Sequence, residues 1–128
     1  MVNISSVAGM IPVPYMAAYC ASKFALNALS DGLRMELARA GVRVVTICPG
    51  RVRTKFQLSA FRDGKYLPAV FQGRKTTGLS ADAVARQTLR AVRRGRREVV
   101  LPFQLRLAAA TRKILPRLMD TVVRRLVD

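Results

Sequence analysis

The chain has 128 residues, 51% of them apolar, and 23 Lys+Arg against 7 Asp+Glu give it a formal charge of +16. That length holds one small domain with one core, and the apolar share excludes a disordered tail. With no histidine and only two cysteines, Ser-His-Asp and Cys-His nucleophile systems are excluded, as are a disulfide framework and most zinc sites. Acid–base chemistry falls to Tyr, Lys or a carboxylate.

The positive excess is even along the chain: residues 1–79 carry 11 basic and 3 acidic groups, residues 80–128 carry 12 and 4. An even spread favours solvated arginine on helix faces over a nucleic-acid partner. The first 22 residues are uncharged, but no basic residue precedes the apolar run, and Asn3, Ser5, Ser6, Pro12 and Pro14 interrupt it. Neither a signal peptide nor a membrane span is expected there, and a cytoplasmic chain is the default. Cys20 and Cys48 read as small buried residues.

"MVNIS" alternates as a strand does, and the Gly-, Pro- and Ala-rich "SVAGMIPVPYMAA" reads as a loop. The spacing predicts a helix from about Ala18 to Ala40, with Leu26, Leu29, Leu33 and Leu37 on one face and Ala25, Ala28 and Gly32 as a small-residue side. Gly41 is its stop. "VRVVTIC" predicts a strand buried on both faces, broken by "PGRVRT". This rhythm is that of a parallel α/β sheet. Residues 55–79, with Phe56, Phe61, Tyr66 and Phe71, predict a long irregular segment. It is either a lid over an apolar substrate or a surface excursion anchored by aromatics.

"SADAVARQTLRAVRRG" predicts a helix capped by Ser80, with Asp82 in its first turn, Arg93 and Arg94 in its last and Gly95 as stop. "REVVLP" predicts a short strand. From Phe103 on, an amphipathic basic helical tail is expected, broken near Pro116. Its stripe is Ile114, Leu115, Leu118, Met119, Val122, Val123, Leu126 and Val127, with Arg112, Lys113, Arg117, Arg124 and Arg125 off it. Docking of that stripe on the body or on a second subunit is favoured over peripheral association with a membrane surface.

"YCASK" places Tyr19 and Lys23 at i and i+4, neighbours on one helix face. An ammonium beside a phenol favours the phenolate, so the tyrosine becomes a usable acid or base at neutral pH. Ser6, thirteen residues upstream at the end of the first strand, would hold a carbonyl oxygen beside it.

Together "NISSVAG", "YCASKFAL" and "PGRVRT" resemble the catalytic half of the short-chain dehydrogenase/reductase family. The likeness is specific from about Val2 to Thr54 and looser to about Pro102. The resemblance implies the C-terminal half of a Rossmann-like, doubly wound parallel sheet. It implies NAD(P)-dependent oxidoreduction of a small-molecule carbonyl or alcohol, and the aromatics of residues 55–79 hint at an apolar one, such as a lipid, steroid or acyl carbonyl compound. Tyr19 would be the acid/base and would also count, with Lys23, among the cofactor-binding residues. Lys23 would lower its pKa and hydrogen-bond the nicotinamide ribose, and Ser6 would orient and polarise the carbonyl. Pro49, Gly50 and Val52 would pass along the nicotinamide through backbone, and Thr54 would contact its amide or the diphosphate region. Residues 55–79 match the family's substrate-binding loop, and the helix starting near Tyr19 is the one that pairs subunits in a homo-oligomer. NADP is favoured over NAD as cofactor.

The sequence also departs from the family. No glycine-rich phosphate turn follows an early strand, and the family's Asn-Asn-Ala-Gly strand with its relay asparagine is absent. The start falls inside the family's fifth strand, so a truncated chain, inactive by itself, is expected. Exposed sheet edges and exposed faces on "VRVVTIC" are expected with it. The domain expectation is a partial catalytic region over 1–102 and the basic tail over 103–128. The alternative is a non-enzymatic remnant or basic module that binds a partner protein, an anionic membrane or nucleic acid.

Overall fold

A strand at the middle of a parallel sheet meets packing on both faces, and Val45–Pro49, uncharged throughout, is buried at every position. The computed structural model describes residues 1–54 and 78–127. In chain order its elements are β1 (Val2–Ile4), a 3-10 turn (Val7–Gly9), α1 (Ala17–Glu36), a second 3-10 turn (Ala38–Ala40), β2 (Val45–Pro49) and β3 (Val52–Arg53). After the segment between come β4 (Leu79–Ser80), α2 (Ala81–Arg93), β5 (Glu98–Leu101), α3 (Gln104–Ile114) and α4 (Pro116–Val127). Of the loop expected over 55–79, residues 55–77 and their four aromatics lie outside the described residues.

Strands β1, β2 and β5 form one parallel sheet in the order β1-β2-β5, with Ile4 opposite Ile47 and Ile47 opposite Val99. Parallel neighbours need crossovers, and α1 and α2 supply them. The result is the α/β fold that the sequence predicts. Alternation along β2 divides its side chains between two layers. Val45 and Ile47 pack with Ala91 and Val84 of α2. Cys48, with Val100 of β5, packs with Val7, Ile11 and Met119 of α4. Helices therefore cover both faces of β2. The expectation of exposed "VRVVTIC" faces is corrected on this point: Val44 to Cys48 are buried, because β1 and β5 flank the strand and both layers are filled. Val42, before the strand, is exposed, as are Val2 and Ile4 of the edge strand β1.

The helix expected over 18–40 is α1 followed by the second 3-10 turn, and Gly41 stops it with φ +70°. Its inward face is the leucine stripe only in part: Leu26, Leu33 and Leu37 are half-buried. Cys20 and Ser30 are its buried residues, and Leu29 is 56% exposed. Polar side chains carry the contact with the sheet. Ser30 Oγ accepts from Asn3 Nδ2 at 2.9 Å, and Arg34 donates to the Val44 carbonyl at 3.0 Å and to Thr46 Oγ1 at 3.1 Å.

Ser80 caps α2 as expected, its Oγ accepting from the Ala83 N–H at 3.1 Å. The tail breaks between Ile114 and Pro116, and α4 seats Met119 in the core with Val123 packed against it. Arg112 of α3 spans to the body, donating to the Met10 carbonyl and lying 5.9 Å from the Phe24 ring centroid. No helix of the described residues is long and apolar enough to cross a membrane.

Candidate active site

Ligands of open parallel sheets sit at the carboxyl ends of the strands. Here that end is built by three short segments: Ile4 to Gly9 after β1, the first turns of α1, and Pro49 to Thr54 after β2. Together with α4 they bound a cleft of about 720 Å³. Ser6, Tyr19, Lys23, Pro49, Gly50, Val52 and Thr54, the seven residues singled out in the sequence, all line it.

Tyr19 sits in the first turn of α1, half-buried, against the cluster of Ala8, Met16 and Cys20. Lys23 follows one turn later with Nζ 5.7 Å from the Tyr19 ring centroid. That ammonium also donates to the Ile4 carbonyl at 3.2 Å, which fixes it at the carboxyl end of β1. Ser6 is the N-cap of the first 3-10 turn, where its Oγ accepts from the Ala8 N–H at 3.1 Å. Acceptance through the oxygen leaves the hydroxyl proton to be donated into the cleft.

Gly50 is where β2 leaves the sheet. Its N–H donates to the Leu101 carbonyl at 2.6 Å, and a Cβ there would lie 2.6 Å from Leu105 Cδ1. A side chain there would push the Leu105 side chain of α3 aside and crowd the Leu101 carbonyl, 3.3 Å from the same point. Farther on, Gly78 has φ +130°, and a Cβ there would meet the Arg51 carbonyl at 2.8 Å, so the β3–β4 pairing also depends on glycine.

The sequence reading missed the clamp beneath the site. Asn27 continues the Tyr19–Lys23 row by another four residues, a signal that was available. Its Nδ2 donates to the Gly9 carbonyl at 2.9 Å, and its Oδ1 accepts from Cys48 Sγ at 3.8 Å. Ser5, 4% exposed, donates through Oγ to the Lys23 carbonyl at 3.3 Å. Gly9 lies flat on α1: a Cβ would come within 2.7 Å of both Asn27 Nδ2 and the Lys23 carbonyl oxygen. The turn that carries Ser6 is thus tied to the helix that carries Tyr19 and Lys23.

Burial, with the Glu98 carboxylate as the next cause, pushes the Cys48 thiol up from an ordinary 9.0 to about 12. The folded chain therefore keeps this proton in a range where the unfolded chain loses it. That stability is complete below about pH 9 and is lost as pH rises toward about 12. Urea midpoints measured across that window should fall with pH, and the fall should be shallower in Cys48→Ala. Equal slopes in the two proteins would remove Cys48 as the cause.

Comparison with known proteins follows the same residues. The family model described as short chain dehydrogenase matches residues 1–64. A zebrafish (Danio rerio) protein named Dehydrogenase/reductase SDR family member 7B is 38% identical over 101 residues, covering 79% of this chain and 33% of that protein. An Escherichia coli K12 protein named Uncharacterized oxidoreductase YbbO is 54% identical over 56 residues, 44% of this chain and 21% of that one. The chain thus spans about a third or less of the length of these curated relatives. A short chain dehydrogenase from Burkholderia cenocepacia J2315, solved in complex with NADP, superposes with a TM-score of 0.73 at 22% identity, over 95% of this chain and 46% of that one. One from Sphingobium yanoikuyae, in complex with NADPH, gives 0.67 at 24% identity, over 99% and 45%. The match of half the sequence to the family model, on a backbone that follows the family's Rossmann-type sheet, makes this chain a member of the short-chain dehydrogenase family.

Proposed function

We propose that this chain supplies the catalytic face of an NAD(P)-dependent oxidoreductase that interconverts a carbonyl compound and its alcohol. The observation that carries the reading is the convergence of Ser6, Tyr19 and Lys23 on one cleft, with the ammonium 5.7 Å from the phenol ring. The cleft suits an anionic dinucleotide: Lys23 and Arg51 are its charged lining residues among those described, and no carboxylate lines it. Pro49, Gly50, Val52 and Thr54 would hold the nicotinamide end, largely through backbone, and Lys23 its ribose. The bound cofactor supplies or accepts the hydride at the substrate carbon. NADP is the favoured form, in line with the NADP and NADPH complexes of the two structural relatives.

In the reduction, Ser6 donates its hydroxyl proton in a hydrogen bond to the carbonyl oxygen and holds it beside Tyr19. As hydride adds to the carbon, the oxygen gains negative charge and takes the Tyr19 Oη proton. Lys23 stabilises the phenolate left behind, and proton uptake from solvent restores the phenol. Oxidation runs the same steps backwards. In this reading residues 1–102 are the catalytic region, 55–79 its substrate loop and 103–128 the tail. Helix α1, which leaves Phe24, Leu29 and Met35 exposed, is the surface for self-association.

The test is transfer of label. The native protein that carries this chain, given NADPH deuterated at the transferable position and a panel of aldehydes and ketones, should yield alcohol deuterated at the carbinol carbon. No labelled alcohol from any of them, with NADH equally silent, would overturn the reading.

A further inference from the structure

The polar groups of the cleft come from the ends of β1 and β2 and the start of α1. The wall supplied by α4 is apolar throughout: Met119, Val122, Val123 and Leu126 line the cleft, at i, i+3, i+4 and i+7. Arg117, Asp120, Arg124 and Arg125 of the same helix are not among the lining residues. Met119 is 8% exposed and belongs to the core, whereas Val122 and Leu126 are 42% and 62% exposed. The stripe that docks α4 therefore runs past the core and into the cleft. Val13, Met16 and Val52 add further apolar surface to the lining. A wet apolar wall in a cleft within the usual ligand range of about 300–1,000 Å³ gains free energy when a hydrocarbon displaces the water.

We infer that the substrate is a lipid-like carbonyl compound or alcohol, whose oxygen sits at Ser6 and Tyr19 and whose hydrocarbon body lies along Val122 and Leu126 of α4. This rests on the oxidoreductase reading of the cleft and adds the substrate class to it. The oxygen must reach the Tyr19 hydroxyl, so the remainder of the molecule has to lie in the same cleft. Charged substituents on that remainder would lose their water against a wall that offers no hydrogen-bonding side chain.

The experiment compares kcat/KM for decanal and propanal with the native protein and NADPH. Decanal should be preferred by about tenfold or more, since each added methylene buried is favourable. The double variant Val122→Ser, Leu126→Ser should cut that preference by about tenfold, with the thermal midpoint unchanged because both side chains are exposed at the surface of the fold. Should that protein not fold, Leu126→Trp, which narrows the cleft, should lower the decanal to propanal ratio in its place. Reduction of both aldehydes without chain-length preference would overturn the inference and leave the function standing. Reduction of neither, with the wider panel of carbonyl compounds and NADH equally silent, would overturn the function. Direct binding then decides the inference: a nitrobenzoxadiazole-labelled dodecanol should bind the native protein, be displaced by decanol and be weakened by the double variant. Absence of that binding would overturn it.

Discussion

Tyr19→Phe should lower turnover of the native protein by about 10²–10⁴-fold, the contribution of a positioned general acid or base. Affinity for NADP(H), read by fluorescence titration, should stay within about twofold of wild type, since each tenfold change needs a full 1.4 kcal/mol. The reason lies in where the ring sits. Its carbon body packs with Ala8, Met16 and Cys20, and phenylalanine keeps that body. Only the hydroxyl goes, and with it the proton that the proposed reaction passes to the forming alkoxide. Lys23→Met should behave differently. It removes the cation 5.7 Å from the ring and also the 3.2 Å bond to the Ile4 carbonyl. Cofactor affinity should fall together with turnover, because the same ammonium is proposed to hold the ribose. Turnover near wild type in Tyr19→Phe would sink the assignment of this residue, whatever cofactor the protein proves to use.

The motif residues were singled out because a phenol and an ammonium on adjacent turns, a hydroxyl at a strand end and a Pro-Gly break together resemble the family's pattern, and all of them line one cleft. The fold class was legible for a related reason: a strand with no charge and no polar alternation needs cover on both faces. The inward face of α1 was legible only in part. Hydropathy picks Leu29, which is exposed, while Asn27, Ser30 and Arg34 share the inward contact with the half-buried Leu26, Leu33 and Leu37, each of the three polar residues through a hydrogen bond with a named group on the sheet or the first turn. Such a face is polar in composition and satisfied in structure, and satisfaction depends on partners far away in sequence. The 3-10 turn at Val7–Gly9 and the two-residue strands β3 and β4 are too short to impose a period on the sequence. In the tail the stripe was legible, but its division was not: both Met119 and Leu126 line the cleft, yet Met119 is buried in the core and Leu126 is exposed, a split set by where the body ends.

Gly9→Ala should couple stability and chemistry at a residue that itself performs none. The added methyl would meet the Asn27 side chain and the Lys23 carbonyl, both at 2.7 Å. Asn27 has two anchors, Gly9 and Cys48, and the Lys23 carbonyl belongs to the backbone of α1 and also accepts from Ser5. Neither neighbour yields cheaply, so the turn must move off the helix. Overpacking of this kind costs about 1–3 kcal/mol, readable as a lower urea midpoint. The turn carries Ser6, so the distance between the Ser6 hydroxyl and the Tyr19 hydroxyl changes with it. A displacement of about 1 Å at a reacting centre can cost about 10²-fold in rate. Asn27→Leu approaches the same clamp from the other side: no methyl is added at Gly9, but the buried Gly9 carbonyl loses its donor, at about 1–3 kcal/mol. If the clamp sets the site, both variants lose kcat by more than their folded fraction explains, at a temperature where each is more than nine-tenths folded by the same urea curves. If the clamp serves stability alone, kcat per folded molecule stays at the wild-type value while the midpoints still fall, and the alignment of Ser6 with Tyr19 must come from the 3-10 turn's own cap.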